Sequence, residues 1–224
     1  MKTRNRSRKL IGIVGAVAVS SALTACAGGS AGPRTAPKTY EDVFGGSRAT
    51  PRTFEDIHGD PLVVVSRLCE IGPIPRGGTS PRSARQYANS AWIRIKRRNF
   101  RGAMELFVSS LSSEATFPES FWGLGISMHE LYPDSDVYDI CFRRAERALT
   151  ESGSEAMHRF RSDYCRALQQ RGHLDRALEQ GQASLKLESE YVEALKCLGQ
   201  IHFAKGDMLK ARLYADKVRN AQKE

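Results

Sequence analysis

The sequence predicts an all-α chain: an N-terminal tether, then about four helix-turn-helix units stacked as a solenoid. Three observations carry this expectation. From about residue 83, helical segments alternate with short breaks. Two stretches near the C-terminus, RALQQRGHLDRALEQGQASLKLESE and QIHFAKGDMLKARLYADKVRNAQKE, repeat one pattern, with Gly172 recurring as Gly206, Leu174 as Met208 and Ala177 as Ala211, each pair 34 apart. Residues 27 to about 60 are rich in Gly, Pro, Ser and Thr, a composition that buries too little apolar surface to offset its ordering entropy.

The first residues read as an address. Lys2, Arg4, Arg6, Arg8 and Lys9 precede an uncharged run, Leu10 to Leu23. Fourteen residues fall short of the ~20 that a membrane-spanning helix needs. A basic start, a short apolar core and small residues after it read as a secretory signal over 1–25. It ends Leu23-Thr24-Ala25-Cys26, which resembles the bacterial lipoprotein box. The resemblance implies cleavage before Cys26, lipidation there by fatty acyl chains such as palmitate, and stable anchoring through multiple acylation. Ala27 rather than Asp at the next position implies the outer membrane, facing the periplasm. Five of the nine net positive charges lie in the signal, which leaves +4 on the mature chain. Basicity is then no argument for nucleic-acid binding, and no interleaved basic and aromatic motif supports it.

Within the expected tether (26–60), PKTYEDVFGG at 37–46 recurs as PRTFEDIHGD at 51–60. Thr39 can cap a single helical turn, with Glu41 and Asp42 at its positive end and Gly45 closing it. Tyr40, Val43 and Phe44 then share one face, and Phe54 with Ile57 repeats the spacing. Three readings stand: docking on an envelope partner, folding back into the chain's own groove as a lid, or a neutral duplication. In the segment 61–82, Asp60-Pro61 has the chemistry of a helix start, but the three valines of LVVVSRLC suit a strand equally.

The 34-residue period with small residues at fixed points resembles the tetratricopeptide repeat. Four units fit over 83–224, the second carrying about four extra residues near Tyr132-Pro133-Asp134-Ser135. The resemblance implies antiparallel helix pairs, with Gly125, Cys165 and Gly199 on first helices and Ala103, Cys141, Ala177 and Ala211 on second helices where the backbones cross. It also implies a concave groove lined by Arg85, Trp92, Ile95 and Lys96, then Trp122 and Ile126, then Arg159 and Arg166, then Lys196 and Phe203. Ala88, His129, Ser162, Gln169 and Gln200 join the same set. As groove residues, the two tryptophans should be partly exposed. The floor would be aromatic near Trp92 and Trp122 and basic near Arg159 and Arg166, suited to a peptide with aromatic, aliphatic and acidic side chains.

Cys141 and Cys165 sit at small-residue positions, so apolar packing is the first reading. A disulfide among Cys69, Cys141, Cys165 and Cys197 is open in an oxidising envelope. No Cys-x-x-Cys, His-Glu-x-x-His, phosphate-binding glycine loop or Gly-x-Ser-x-Gly occurs, so no cofactor, metal or catalytic centre is expected. The expected function is a protein–protein scaffold in the envelope, in pilus or secretion-system assembly. The alternative is a regulatory adaptor of a peptidoglycan enzyme.

Overall fold

Among the described residues, helices alternate with short connections. The computed structural model describes residues 53–72, 81–112 and 117–223. They form α1 (Phe54–His58), α2 (Pro61–Ile71), α3 (Pro81–Lys96), α4 (Phe100–Leu111), α5 (Pro118–Leu131), α6 (Val137–Glu151), α7 (Met157–Gln170), α8 (Leu174–Leu187), α9 (Val192–Ala204) and α10 (Met208–Ala221). No strand occurs among the described residues. From α3 onward the helices pack in consecutive pairs, α3 with α4 through α9 with α10. The first helices α3, α5, α7 and α9 also touch in succession and form one layer. The architecture is an all-α helical repeat solenoid.

The repeat is visible atom by atom at the turns. Gly172 and Gly206 have φ of 78° and 77°. In each turn the next residue's N–H reaches back to a carbonyl five residues earlier, His173 to Leu168 at 2.9 Å and Asp207 to His202 at 2.8 Å. The α3–α4 turn makes the same bond, Asn99 to Arg94 at 3.0 Å, but places Arg98 in the left-handed region at φ 58°. The longer α5–α6 connection contains no positive-φ residue, which is where the sequence carries its extra residues.

The segment left open between helix and strand is helical. Asp60 accepts the Leu62 N–H at 2.8 Å, Pro61 opens the helix, and the Gly72 N–H closes it on the Leu68 carbonyl. These caps fix the segment ends, and Val65, Leu68 and Cys69 bury one helical face at i, i+3, i+4. That face packs mainly on α6.

The tether ends earlier than the composition predicts. Residues 53–60, assigned to the spacer by composition, hold the capped helix α1, the same turn that the cap pattern suggested for the first motif copy. Thr53 and Asp56 exchange backbone bonds in a capping box, and Gly59 closes the turn at φ 85°. Local capping satisfies the backbone, and burial of Phe54 adds the apolar surface that the composition alone hides. Cys26, Tyr40, Val43 and Phe44 lie outside the described residues.

All four cysteines of the folded part are bonded. Cys69–Cys141 joins α2 to α6, and Cys165–Cys197 joins α7 to α9. The reading of Cys141 and Cys165 as plain apolar packing is therefore overturned. The physical reason is the one that demanded small residues: close helix approach brings the Cα atoms to 4.9 Å and 6.5 Å, within bonding reach.

Candidate functional site: the inner face of the first helices

An aromatic series runs through the first three units. Trp92 meets Phe107 edge-on at 5.5 Å and Trp122 at 4.8 Å, and Trp122 meets Phe160 at 6.0 Å. Phe142 stacks on Tyr164 at 4.8 Å behind them. Close approach is possible because glycines face the rings. A Cβ on Gly123 would lie 2.0 Å from Phe107, and one on Gly125 would lie 2.8 Å from Phe142.

On this backing sits a cavity of about 460 Å³, lined by Trp92, Ile95, Phe100 and Ile126 with Arg98, Glu130, Asp163, Arg166 and Gln170. Four of the expected groove residues therefore meet in one place: Trp92, Ile95, Ile126 and Arg166. Trp122 does not line it. It is only 7% exposed, contrary to the partial exposure expected of a groove tryptophan. Its ring carries the floor from beneath, and its Nε1–H donates to Asp163 Oδ2 at 3.2 Å. Arg85 instead lies over the Phe117 ring at 5.7 Å. Lys96 and Arg159 are exposed and line no described cavity. Lys196 and Phe203 line a second cavity, between α9 and α10.

The expected basic wall is a mixed one. Arg166 pairs with Asp163 at 3.2 Å, and Arg98 lies 3.7 Å from Glu130. Asp163, Glu130 and Gln170 lie on the same first helices, α5 and α7, but outside the positions that the family resemblance assigns to the groove. Burial pushes the Asp163 carboxyl above its usual range, against the pull of Arg166 and the Trp122 bond. Its ionised form therefore costs stability at pH above the folded value, and the cost disappears below the ordinary aspartate range.

His129 forms a rigid joint beside this cavity. Its Nε2 lies 2.6 Å from Gln170 Oε1, and its Nδ1 accepts from Arg171 Nε at 3.2 Å. This geometry needs a neutral ring with the proton on Nε2. Burial, followed by the Arg171 charge among the groups that oppose protonation, holds its pKa below the ordinary histidine value. Arg171 also donates to the carbonyls of His129 and Tyr132 and covers the Tyr138 ring at 5.0 Å. On the other side of the same joint, Asp139 Oδ1 accepts from Tyr164 and Arg176, each at 2.6 Å. Burial first, then that carboxylate, pushes the Tyr164 hydroxyl well above its usual range. Units two and three are thus tied by polar bonds as well as by apolar packing.

The second motif copy does not enter this cavity. Phe54 is buried in the chain's own core, and Ile57 remains exposed. Both oxygens of Glu55 meet Arg101 of α4, at 2.5 and 2.6 Å. The lid reading placed this segment in the groove; it lies instead along α2 and α4. Its own backbone N–H in the first turn of α1, followed by Arg101, holds the Glu55 carboxyl below its ordinary value.

Among the described residues no group of three His, Cys, Asp or Glu side chains could hold a metal ion, and no helix is long and apolar enough to cross a membrane. No protein-family model matches the chain, and no curated protein matches it. What the geometry offers is a preformed, partly aromatic recess on stacked helices, with two carboxylates, two guanidiniums and an amide around it. That is the equipment of a binding surface.

Proposed function

We propose that the chain is a tetratricopeptide-type scaffold of the bacterial envelope, held to the outer membrane by lipid on Cys26. The observation that carries this reading is the recess at Trp92, Ile95 and Ile126, open to solvent and backed by the buried Trp122. It accepts an extended or helical peptide segment whose aromatic or aliphatic side chain enters the recess. Arg98 and Arg166 can meet acidic neighbours, and Glu130 and Gln170 can meet donors. Two disulfides in the folded part favour an exported, oxidising location, in agreement with the signal and lipoprotein box. The role assigned is assembly of a pilus or secretion system.

The test is affinity capture from solubilised envelopes, with the intact lipoprotein beside Trp92→Ala and beside a form lacking residues 37–46, which leaves the folded copy at 53–60 in place. A pilus or secretin component that disappears with Trp92→Ala supports the scaffold and its recess. A partner lost only with the deletion assigns binding to the duplicated motif. Capture of a peptidoglycan enzyme replaces the assembly role with the adaptor role. Metabolic labelling with a palmitate analogue checks the anchor: Cys26→Ser should abolish incorporation.

A further inference from the structure

The joint between units three and four is a template for an unfilled surface at the end of α10. In that joint, α9 seats on α8. Leu198 lies over Gly181, where an added Cβ would come within 2.8 Å of it. The α8 surface beneath consists of Leu174, Ala177, Leu178, Gly181 and Ser184, all buried or half-buried. Thirty-four residues on, α10 carries Met208, Ala211, Arg212, Ala215 and Val218 at the same places. These five line a cavity of about 770 Å³, completed chiefly by Leu195, Gly199 and Phe203 of α9. No described residue covers it. Ala215, the counterpart of buried Gly181, is exposed, Phe203 is 64% exposed, and α10 has no buried residue.

Two replacements describe the occupant. Arg212 stands where the filled joint has Leu178, and Lys196 stands where it has Ser162. Both line the cavity. Along α10, Lys210 pairs with Asp207 at 3.2 Å and Arg219 pairs with Asp216, and Arg212 and Lys217 add two further cations. A second copy docking through this face would oppose one basic rim to another, which disfavours it. We propose that the α9–α10 face is a socket for an amphipathic helix of a partner protein, with a leucine-sized ridge over Ala215 and acidic residues beside Lys196 and Arg212. The bound helix continues the solenoid by one first helix, as α9 does on α8. This surface is separate from the Trp92 recess, so the two proposals stand or fall independently.

The probe is a labelled synthetic peptide spanning residues 189–204 with Cys197→Ser, which reproduces the helix seated on α8 and carries Glu190 and Glu193. Binding to the full chain is followed by fluorescence anisotropy. Saturable binding is expected, weakened about tenfold by Ala215→Glu in the protein or Leu198→Ala in the peptide. Lys196→Glu should weaken it several-fold, as should raising salt to about 0.5 M. Trp92→Ala should leave it unchanged. Absence of saturation up to about 1 mM overturns the proposal. So does an affinity indifferent to both Ala215→Glu and Lys196→Glu. Sedimentation equilibrium supplies the remaining outcome: a dimer abolished by Ala215→Glu makes a second copy the occupant and overturns the partner helix.

Discussion

The first three units and the last one share a repeat but not a degree of burial. Units one to three enclose Phe107, Phe121, Phe142, Phe160 and Tyr164 almost completely. In the last pair, α9 buries Leu195, Leu198 and Ile201 against its neighbours, whereas α10 buries nothing. A repeat unit gains its core from the unit stacked on it. The same small-residue pattern is therefore a sealed joint in one place and an open surface in another.

The largest way to break this contrast is truncation of a large side chain on each side. Trp122→Ala should cost about 3–5 kcal/mol in denaturant unfolding, since it empties a buried site and leaves Asp163 without its indole donor. Phe203→Ala should change stability by less than about 0.5 kcal/mol, because its ring already faces solvent. Equal losses would mean that the last pair is as well packed as the others.

The disulfides sharpen the comparison next. Cys165–Cys197 closes a separation of 32 residues and is the covalent tie between unit three and the last pair. The double change Cys165→Ala with Cys197→Ala should cost up to about 3.7 kcal/mol on loop-closure grounds. Its local signature should be faster amide exchange in α9 and α10 with little change in α5 and α6. Loss of protection throughout the chain would show that the last pair does not open separately.

A third test uses one position in two units. Ala177 is fully buried on α8, and Ala211 is its counterpart on α10. Ala177→Leu should overpack the joint and cost about 1–3 kcal/mol. Ala211→Leu should cost less than about 0.5 kcal/mol, because the added methyl groups enter the open cavity. It should also obstruct the peptide socket, so stability and peptide binding respond in opposite patterns at the two positions.

The sequence made the repeat legible because a stacking surface leaves a period, and the period located the turns, the small residues and half of the inner recess. Composition places residues 53–60 in the spacer because it averages over a segment, whereas the cap pattern of the motif points to a turn, and one capping box with one buried phenylalanine suffices to hold five residues in a helix. The sequence leaves disulfides open among these cysteines but does not show their pairing, for a related reason. A cysteine at a crossing position looks like any small residue until the opposite helix supplies a second sulfur. Nothing local marks Asp163, because its part in the recess depends on Trp122, 41 residues away. The open end of α10 was already present in the sequence as Arg212 in place of Leu178, but only the seated α9 shows what the replaced leucine touches.

The smallest expected effect concerns the turns. Gly172 and Gly206 adopt left-handed geometry without a Cβ, whereas Arg98 holds φ 58° with one. An L-residue there costs about 1–2 kcal/mol. Arg98→Gly removes that strain but adds roughly 0.5–1 kcal/mol of unfolded-chain entropy. It also forfeits the 3.7 Å pair with Glu130 and the contact with the Phe100 ring at 5.7 Å, but Arg98 is 80% exposed, so the ion pair contributes little. The net should be a stabilisation of about 0.5 kcal/mol, seen as a higher denaturant midpoint at unchanged slope. The reverse change, Gly172→Arg, should destabilise by a similar or larger amount. A stabilised Gly172→Arg variant would mean that the turns tolerate a side chain equally and that the glycine at the 34-residue interval serves something other than backbone geometry.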